Sequence, residues 1–186
     1  MWSRRYSCLG CWPSFSYQTN CVNDLSIIHP RQSHVPVTSL IWIDDRYLCS
    51  GTSSGELSCW DSDDEYQCLQ TLSAHHDTIS LMCYSNVLSF NSYDLKLHQL
   101  LITTGKGNSI RVWQFHPNST PHLIYQEILD SHVGDITSLC LSETEDYLFS
   151  GARDNTVRYW NLLTHTCLRE VTDSTNPQYF CSSCFI

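Results

Sequence analysis

The sequence predicts an all-β protein made of repeated four-stranded antiparallel units, and three observations lead to this prediction. Short runs rich in β-branched and aromatic residues are bounded by Gly, Asn, Asp and Ser, as in strands joined by tight turns. No longer segment of the chain shows a convincing helical period. The runs also recur in the same order in three copies along the 186 residues.

The copies can be aligned from their strand sequences and from the tryptophan in each third strand. VTSL at 37–40 returns as ITSL at 136–139, and Trp60 returns as Trp160 with the same spacing from the preceding Ser-Gly pair. Turns such as SSGE and RDNT favour hairpin connections. The predicted strands are SLIWI, RYLCSG, ELSCW and YQCLQTL in the first copy, TISLMCY, LLITTG, SIRVW and HLIYQEIL in the second, and DITSLCL, DYLFSG, TVRYW and THTCLREV in the third.

This order of histidine, Ser-Gly, aspartate and tryptophan resembles the WD-repeat (WD40) family of β-propellers, over residues 34–171. In that family a hydrogen-bonded tetrad (His, Ser/Thr, Asp and Trp) joins the loop before the first strand to the turn between the second and third strands. The resemblance implies about three four-stranded antiparallel blades. The implied bounds are 31–171 for the domain, about 34–72, 75–129 and 132–171 for the repeats, and 1–30 and 172–186 for irregular terminal segments.

The tetrad is complete in the third repeat, and the aspartate is missing from the other two. The tetrad positions hold His34, Ser50, Ser54 and Trp60 in the first repeat, His75, Thr103, Gly107 and Trp113 in the second, and His132, Ser150, Asp154 and Trp160 in the third. His76 is an alternative to its neighbour as the histidine of the second repeat. We expect the missing aspartates to leave the first two blades less firmly pinned.

The second repeat carries an insertion, NVLSFNSYDLKLH (86–98), between its first and second strands. Insertions of this kind often map to a binding face. Loops also lengthen at little thermodynamic cost, which favours a tolerated loop extension here.

Propellers close with about 4–8 blades, because closure removes the exposed strand edges. We therefore expect that this chain alone does not close the ring. A fragment, a truncated gene model and a half-propeller that pairs with blades of another chain all fit, and the segment 21–30 (CVNDLSIIHP) is a candidate for one stray outer strand.

Composition excludes several classes of function. A net charge of −9 without a basic stripe argues against direct nucleic-acid binding. No apolar run is long enough for a membrane span, and the N-terminus lacks the apolar core of a secretory signal. We therefore expect an intracellular protein, cytoplasmic or nuclear, with free thiols and no cofactor.

Both ends of the chain carry a C-x-x-C pair, the spacing with which two cysteines can ligate one zinc ion. The pairs are Cys8 with Cys11 and Cys181 with Cys184. Zinc sites built from two such pairs usually separate them by about 15–20 residues, whereas these pairs stand at opposite ends of the chain. The sequence favours unrelated terminal cysteines over a zinc site.

The third repeat contains the residue types of a hydrolase triad, with Ser150 as nucleophile, His132 as base and Asp154 as the residue that orients the base. The serine, however, stands in a strand that enters a hairpin, not in the G-x-S-x-G elbow of hydrolases. Histidine and Ser/Thr also recur in the repeats without aspartate, and Trp160 supplies an indole N–H that the serine can accept. These features favour a structural role.

The favoured function is a non-enzymatic scaffold or adaptor that binds other proteins through rigidly held loops. An accessory module or fragment of a larger enzyme or complex subunit is the alternative, and a Ser/His/Asp hydrolase is a remote one. The docking signature Trp-Asp-x-Arg for cullin ligases is absent. The predicted partner-binding positions on the face of the histidine loops are His76, Asp77, Lys106, Gly134, Asp135 and, as the strongest single candidate, Arg153.

Overall fold

The computed structural model describes residues 35–91, 94–130 and 132–172, and within them the chain forms twelve strands in three four-stranded antiparallel sheets. Each sheet is one blade, with its strands side by side in chain order. Blade one consists of β1 (Val37–Ile43), β2 (Tyr47–Thr52), β3 (Glu56–Asp61) and β4 (Gln67–Ser73). Blade two consists of β5 (Ile79–Asn91), β6 (Asp94–Gly105), β7 (Ser109–Phe115) and β8 (Leu123–Asp130). Blade three consists of β9 (Ile136–Leu141), β10 (Tyr147–Ala152), β11 (Thr156–Asn161) and β12 (Thr166–Thr172).

The all-β prediction and the division into three four-stranded blades are therefore confirmed. The stray strand predicted at 21–30 lies outside the described residues. The blades follow one another in an unclosed arc, in which β1 lies beside β5 and β5 lies beside β9.

The same irregularity occurs in all three blades at the tryptophan of the third strand. The pairing of the third strand with the fourth shifts register at Trp60, Trp113 and Trp160. A bulge of this kind bends the strand and increases its twist. The copies therefore share backbone geometry as well as strand order.

Each blade packs against the next through alternating residues of its second and third strands. Tyr47, Cys49 and Cys59 of blade one join a buried cluster with Leu101 and Trp113 of blade two. Leu100, Ile102 and Val112 of blade two join a second cluster with Leu148 and Trp160 of blade three. The period of two along a strand sends successive side chains to opposite faces, so the middle strands of blade two serve two interfaces.

The insertion in blade two extends the strands instead of forming the loop that the sequence analysis favoured. Antiparallel pairing of β5 with β6 continues past Asn86 and Gln99 to Asn91 and Asp94. The loop interpretation is therefore wrong. Burial explains the ordering, because Val87 is 1% exposed while its neighbour Leu88 is 47% exposed, the alternation of a half-buried strand.

Blade three supports one face of this extended hairpin. The Ser85 hydroxyl donates to the backbone carbonyl of Glu145, and the Asn86 N–H donates to the Glu145 carboxylate at 3.0 Å. Val87 belongs to the buried cluster that blades two and three share. The hairpin is thus part of the packed core and not a free appendage.

No helix in the described ranges has the length and apolarity of a membrane span.

The packing of the hairpin predicts unequal effects of truncating two adjacent side chains. Val87→Ala removes buried methyl groups from the interface between blades two and three, and it should lower the free energy of unfolding by about 2 kcal/mol. Leu88→Ala removes a half-exposed side chain from the opposite face and should change stability by less than about 1 kcal/mol. Urea unfolding of the two variants measures the difference, and equal effects would contradict the docking of the hairpin.

Candidate functional site

One end of every blade is built from two segments, which are the loop before its first strand and the turn between its second and third strands. We call this the histidine end, because the loop carries the tetrad histidine in blades two and three. A backbone hydrogen bond of 2.9 Å joins the two segments in each blade. The donor and acceptor are Ser53 N–H and Pro36 C=O in blade one, Lys106 N–H and Thr78 C=O in blade two, and Arg153 N–H and Asp135 C=O in blade three.

The four tetrad residues of blade three form one continuous network. Trp160 Nε1 donates to Ser150 Oγ at 2.8 Å, and Ser150 Oγ lies 2.7 Å from His132 Nε2. His132 Nδ1 lies 3.0 Å from Asp154 Oδ2. The network connects β10 and β11 to the loop that precedes β9.

The chemistry of the donors determines where the protons lie. An indole nitrogen only donates, so Ser150 Oγ accepts from Trp160 and its own proton points to His132 Nε2. The second ring nitrogen of His132 then carries the hydrogen and donates to Asp154. Every polar atom along this path has a partner, as buried polar groups require.

Burial and hydrogen bonding set the charges of this network. Burial lowers the pKa of His132, an effect that Asp154 only partly offsets. Burial favours the neutral form of Asp154, but hydrogen bonds from Thr156, Val133 and His132 outweigh that effect and hold the pKa of its carboxyl below the ordinary value. The pair at neutral pH is therefore a neutral imidazole beside a carboxylate.

Two contacts in this network were missed by the sequence analysis. Thr156 Oγ1 lies 2.7 Å from Asp154 Oδ1 and 3.0 Å from His132 Nδ1, and the backbone N–H of Val133 donates to Asp154 Oδ2 at 2.8 Å. The spacing Asp-x-Thr, in which an aspartate accepts from the residue two positions ahead, was an available signal for Thr156.

Blade two keeps three of the four tetrad residues in contact. Trp113 Nε1 donates to Thr103 Oγ1 at 2.9 Å, and Thr103 Oγ1 lies 2.8 Å from His75 Nε2. Gly107 occupies the position of the aspartate with a φ of 143°, in the region that favours glycine. The histidine of this network is His75, while His76 is exposed to solvent.

Blade one shows the tryptophan contact, with Trp60 Nε1 donating to Ser50 Oγ at 2.9 Å. Ser54, at the aspartate position, lies 3.0 Å from the hydroxyl of Thr52. His34 lies outside the described residues, so its predicted part in this tetrad stays a prediction.

Blade one also contains an ion pair that the sequence analysis did not anticipate. Asp61, the aspartate directly after Trp60, is buried and binds Arg46 through two hydrogen bonds of 2.9 and 2.6 Å. The Arg46 guanidinium also lies 5.1 Å from the ring centre of Tyr47. The pair fastens β3 to the turn between β1 and β2, so Asp61 has a structural partner within its own blade.

The predicted partner-binding residues are brought together in two groups at the histidine end. His76 and Asp77 of blade two lie in the loop that is bonded to the turn carrying Lys106, and all three are exposed. Asp135 and Arg153 of blade three are joined by the backbone bond described above. Lys106 is close enough to Asp77 to help lower the pKa of that carboxyl, after the larger effect of the Thr78 N–H.

The hydrolase hypothesis meets a problem of access. The distances among Ser150, His132 and Asp154 are those of a triad, but the serine side chain is fully buried. Its oxygen already accepts from Trp160 and donates to the histidine. The serine oxygen is therefore not exposed to a substrate carbonyl in this structure.

Within the described ranges, no three His, Cys, Asp or Glu side chains are grouped as metal ligands. The terminal pairs Cys8–Cys11 and Cys181–Cys184 lie outside those ranges. The six cysteines in the described strands are all free thiols.

Comparisons with known proteins agree with this architecture. The family model for the WD domain, G-beta repeat (WD40), matches residues 124–161, which run from β8 to the end of β11. Striatin from Mus musculus is 28% identical over 151 residues, covering 80% of this chain and 18% of striatin. The pre-mRNA-splicing factor PRP46 from Candida albicans is 38% identical over 61 residues, covering 33% of this chain and 14% of that protein. The chain thus spans less than a fifth of the length of these two relatives.

Solved structures show the same fold. A chain of the mitotic checkpoint complex matches 76% of this chain and 38% of its own length, with a TM-score of 0.55 and 20% identity. The computationally designed Ika4 protein matches 80% of this chain and 78% of its own length, with a TM-score of 0.56 and 21% identity.

The consecutive four-stranded sheets, each with a buried tryptophan bonded to a hydroxyl, define the class of the protein, which is an assembly of β-propeller blades. The complete tetrad of blade three and the match of the WD domain model to residues 124–161 make the chain similar to the WD-repeat proteins.

The buried position of Ser150 predicts that its hydroxyl matters for stability. Ser150→Ala leaves the indole N–H of Trp160 without an acceptor and should lower the free energy of unfolding by about 1–3 kcal/mol. Ser119→Ala, at an exposed position, serves as the control and should change stability by less than about 0.5 kcal/mol. Urea unfolding tests both. A stable Ser150→Ala protein that has lost hydrolysis of an ester or peptide substrate would instead support the triad.

Proposed function

We propose that the protein is a non-enzymatic scaffold or adaptor that binds other proteins through the histidine end of its blades. The observation that carries this proposal is the backbone hydrogen bond that fixes each exposed turn to the neighbouring loop, as Arg153 N–H to Asp135 C=O does in blade three. Rigidly held loops lose little conformational entropy on binding, which favours recognition.

The exposed groups at this end suit a protein partner of mixed charge. His76, Asp77 and Lys106 combine both signs in blade two, and Arg153 adds a cation in blade three. Arginine is enriched among residues that dominate binding energy. The net charge of −9 disfavours a nucleic acid as the direct partner.

The comparisons support an assembly role. One relative is a pre-mRNA-splicing factor and one structural neighbour comes from the mitotic checkpoint complex. An intracellular location, cytoplasmic or nuclear, belongs to the same proposal, because splicing takes place inside the cell. The domain bounds of 31–171 stay a prediction; the described strands run from Val37 to Thr172.

A second candidate function is that of an accessory module that pairs with further blades. Its support is the outer face of blade three, where Tyr147, Phe149 and Tyr159 stack with ring centres 4.7–5.0 Å apart. By strand register, Phe149 corresponds to Cys49, which is buried against blade two, but Phe149 itself is 39% exposed. An apolar face of this kind marks an interaction site.

Reversing the charge of Arg153 tests the scaffold function. Arg153→Glu should reduce the recovery of a specifically captured partner about fivefold or more, since removing an arginine that acts as a hot spot costs about 2 kcal/mol or more. Arg169→Glu makes the same change on the exposed outer strand β12 and should have no effect. Quantitative mass spectrometry after affinity purification of both variants measures the ratio. If the two variants recover the partner equally, Arg153 does not belong to the binding surface.

A charged substitution on the outer face of blade three tests the accessory-module function. Phe149→Glu should abolish association with a further blade, because the carboxylate would be desolvated in the contact. Leu168→Glu, at a residue that is 52% exposed on β12, is the matched control. Sedimentation velocity of each variant, alone and with a captured partner, gives the assembly state. If Phe149→Glu and Leu168→Glu assemble identically, the outer face of blade three is not the contact with a further blade.

A further inference from the structure

Blade three shows what the tetrad aspartate does. Its carboxylate collects hydrogen bonds from three neighbours: Asp154 lies 3.0 Å from His132 Nδ1, 2.8 Å from the Val133 N–H, and 3.0 and 2.7 Å from the N–H and Oγ1 of Thr156. The donors converge on one small volume at the histidine end. The carboxylate therefore satisfies several donors that would otherwise lack acceptors.

Blade two has donors at the corresponding positions but no carboxylate. His75, His76 and Ser109 correspond to His132, Val133 and Thr156, and Gly107 replaces the aspartate. Within the described part of the chain, neither His75 Nδ1, the His76 N–H nor Ser109 Oγ has an acceptor at hydrogen-bonding distance. We call these three groups and the space beside Gly107 the open carboxylate position.

The ring of His75 can present a proton to this position. Thr103 Oγ1 accepts from Trp113 and lies 2.8 Å from His75 Nε2, so its own hydrogen can be donated to that nitrogen. A carboxylate beside Nδ1 would select this arrangement, in which the hydrogen of the neutral ring is on Nδ1. His75 is 5% exposed, while the buried side-chain nitrogen without a partner in this blade, among the described residues, is Arg111 Nε.

Space and charge at this position favour an anion. A Cβ atom built on Gly107 would meet no atom within 4 Å, whereas Gly105 beside it packs directly on the His75 ring. Lys106 is exposed in the same turn. Burial and the nearby Arg111 lower the pKa of His75 to about 4, so the ring is neutral at pH 7.

The neighbouring charged groups do not already supply the missing acceptor. Arg111 Nε is buried and has no hydrogen-bond partner among the described residues. Asp77 is the nearby acid in the loop after His75, but its carboxylate accepts from the Thr78 N–H at 2.6 Å and from the Thr78 hydroxyl. The cations Lys106 and Arg111 therefore remain available to attract a carboxylate from outside the chain.

We propose that an aspartate or glutamate side chain of a protein partner enters the open carboxylate position and completes the tetrad of blade two. Its oxygens accept from His75 Nδ1, the His76 N–H and Ser109 Oγ, as Asp154 accepts from the corresponding groups of blade three. The proposal rests on the proposed scaffold function and adds the chemistry of the partner. The proposal also explains what the replacement of the aspartate by Gly107 does: it leaves the donors of the open carboxylate position accessible to a partner.

Nuclear magnetic resonance of the 186-residue chain tests the chemistry with N-acetyl-aspartate amide as the probe. The probe should shift the indole N–H resonance of Trp113 with a millimolar Kd, and it should raise the pKa of His75 because a bound carboxylate favours the imidazolium. The Trp113→Phe variant assigns the resonance. N-acetyl-asparagine amide, a neutral isostere, should produce neither change.

Two variants and one matched control locate the binding. Ser109→Ala and Lys106→Ala should each weaken the probe about fivefold, while Arg169→Ala, on the exposed outer strand β12, should leave its Kd unchanged. Equal binding of aspartate and asparagine amides, an unchanged Kd in both blade-two variants, or equal binding of inorganic phosphate would overturn the proposal.

These experiments distinguish a failure of the carboxylate proposal from a failure of the proposed scaffold function. If the aspartate amide binds at Trp113 but no protein is captured through the histidine end, the scaffold function fails and the carboxylate chemistry stands. If a protein is captured and its recovery is unchanged by Ser109→Ala, the open carboxylate position is not where that partner binds, and the present proposal is wrong.

Discussion

The buried tryptophan N–H is the constraint on which the rest of the structure depends. Trp113 and Trp160 lie in the buried clusters between blades, and the indole of each blade donates to a hydroxyl of the second strand at 2.8–2.9 Å. An indole nitrogen can only donate, so a register that moved the hydroxyl away would leave a buried donor unpaired. A shift by one residue would also turn every core side chain to the wrong face. The tryptophan and its hydroxyl therefore fix both the register and the faces of the blade.

Once the register is fixed, the same strands determine the interfaces and the histidine end. The hydroxyl that accepts from tryptophan also lies 2.7–2.8 Å from a ring nitrogen of the histidine in the preceding loop in blades two and three. That histidine presents its other nitrogen toward the surface, where blade three supplies Asp154 and blade two supplies Gly107. One residue in the turn between the second and third strands therefore distinguishes the two blades. Asp154 completes the network in blade three, and Gly107 leaves the position open in blade two. Blade two keeps its tryptophan–threonine–histidine contacts without the aspartate, because those contacts lie deeper in the blade.

The extended hairpin shows how a departure from the repeat becomes part of the fold. Its two strands continue the ladder of blade two, and Val87 inserts into the cluster shared with blade three. Glu145 in the β9–β10 turn receives hydrogen bonds from Ser85 and Asn86. The insertion therefore joins two blades at the end opposite the histidine loops, while exposed Leu88 and Leu97 remain on its other face.

The sequence by itself determined the repeat, the strand types and the tetrad of blade three, but it left the choice between His75 and His76 in blade two to the structure. These features depend on local periodicity and on pairs such as Ser150 and Trp160, which are only ten residues apart on adjacent strands. Only the tertiary structure decided features that depend on distant segments. The contact of Ser85 with Glu145 spans 60 residues, so no local pattern could reveal that the insertion would be an ordered hairpin and not a loop. The alternation of Val87, Leu88 and Ser89 allowed a strand, but only the neighbouring blade supplies the surface that buries one side of it. Whether His75 and His76 have acceptors likewise depends on the position of the turn at Gly107. A hydrogen bond requires a particular distance and angle between its atoms, which only the three-dimensional structure gives.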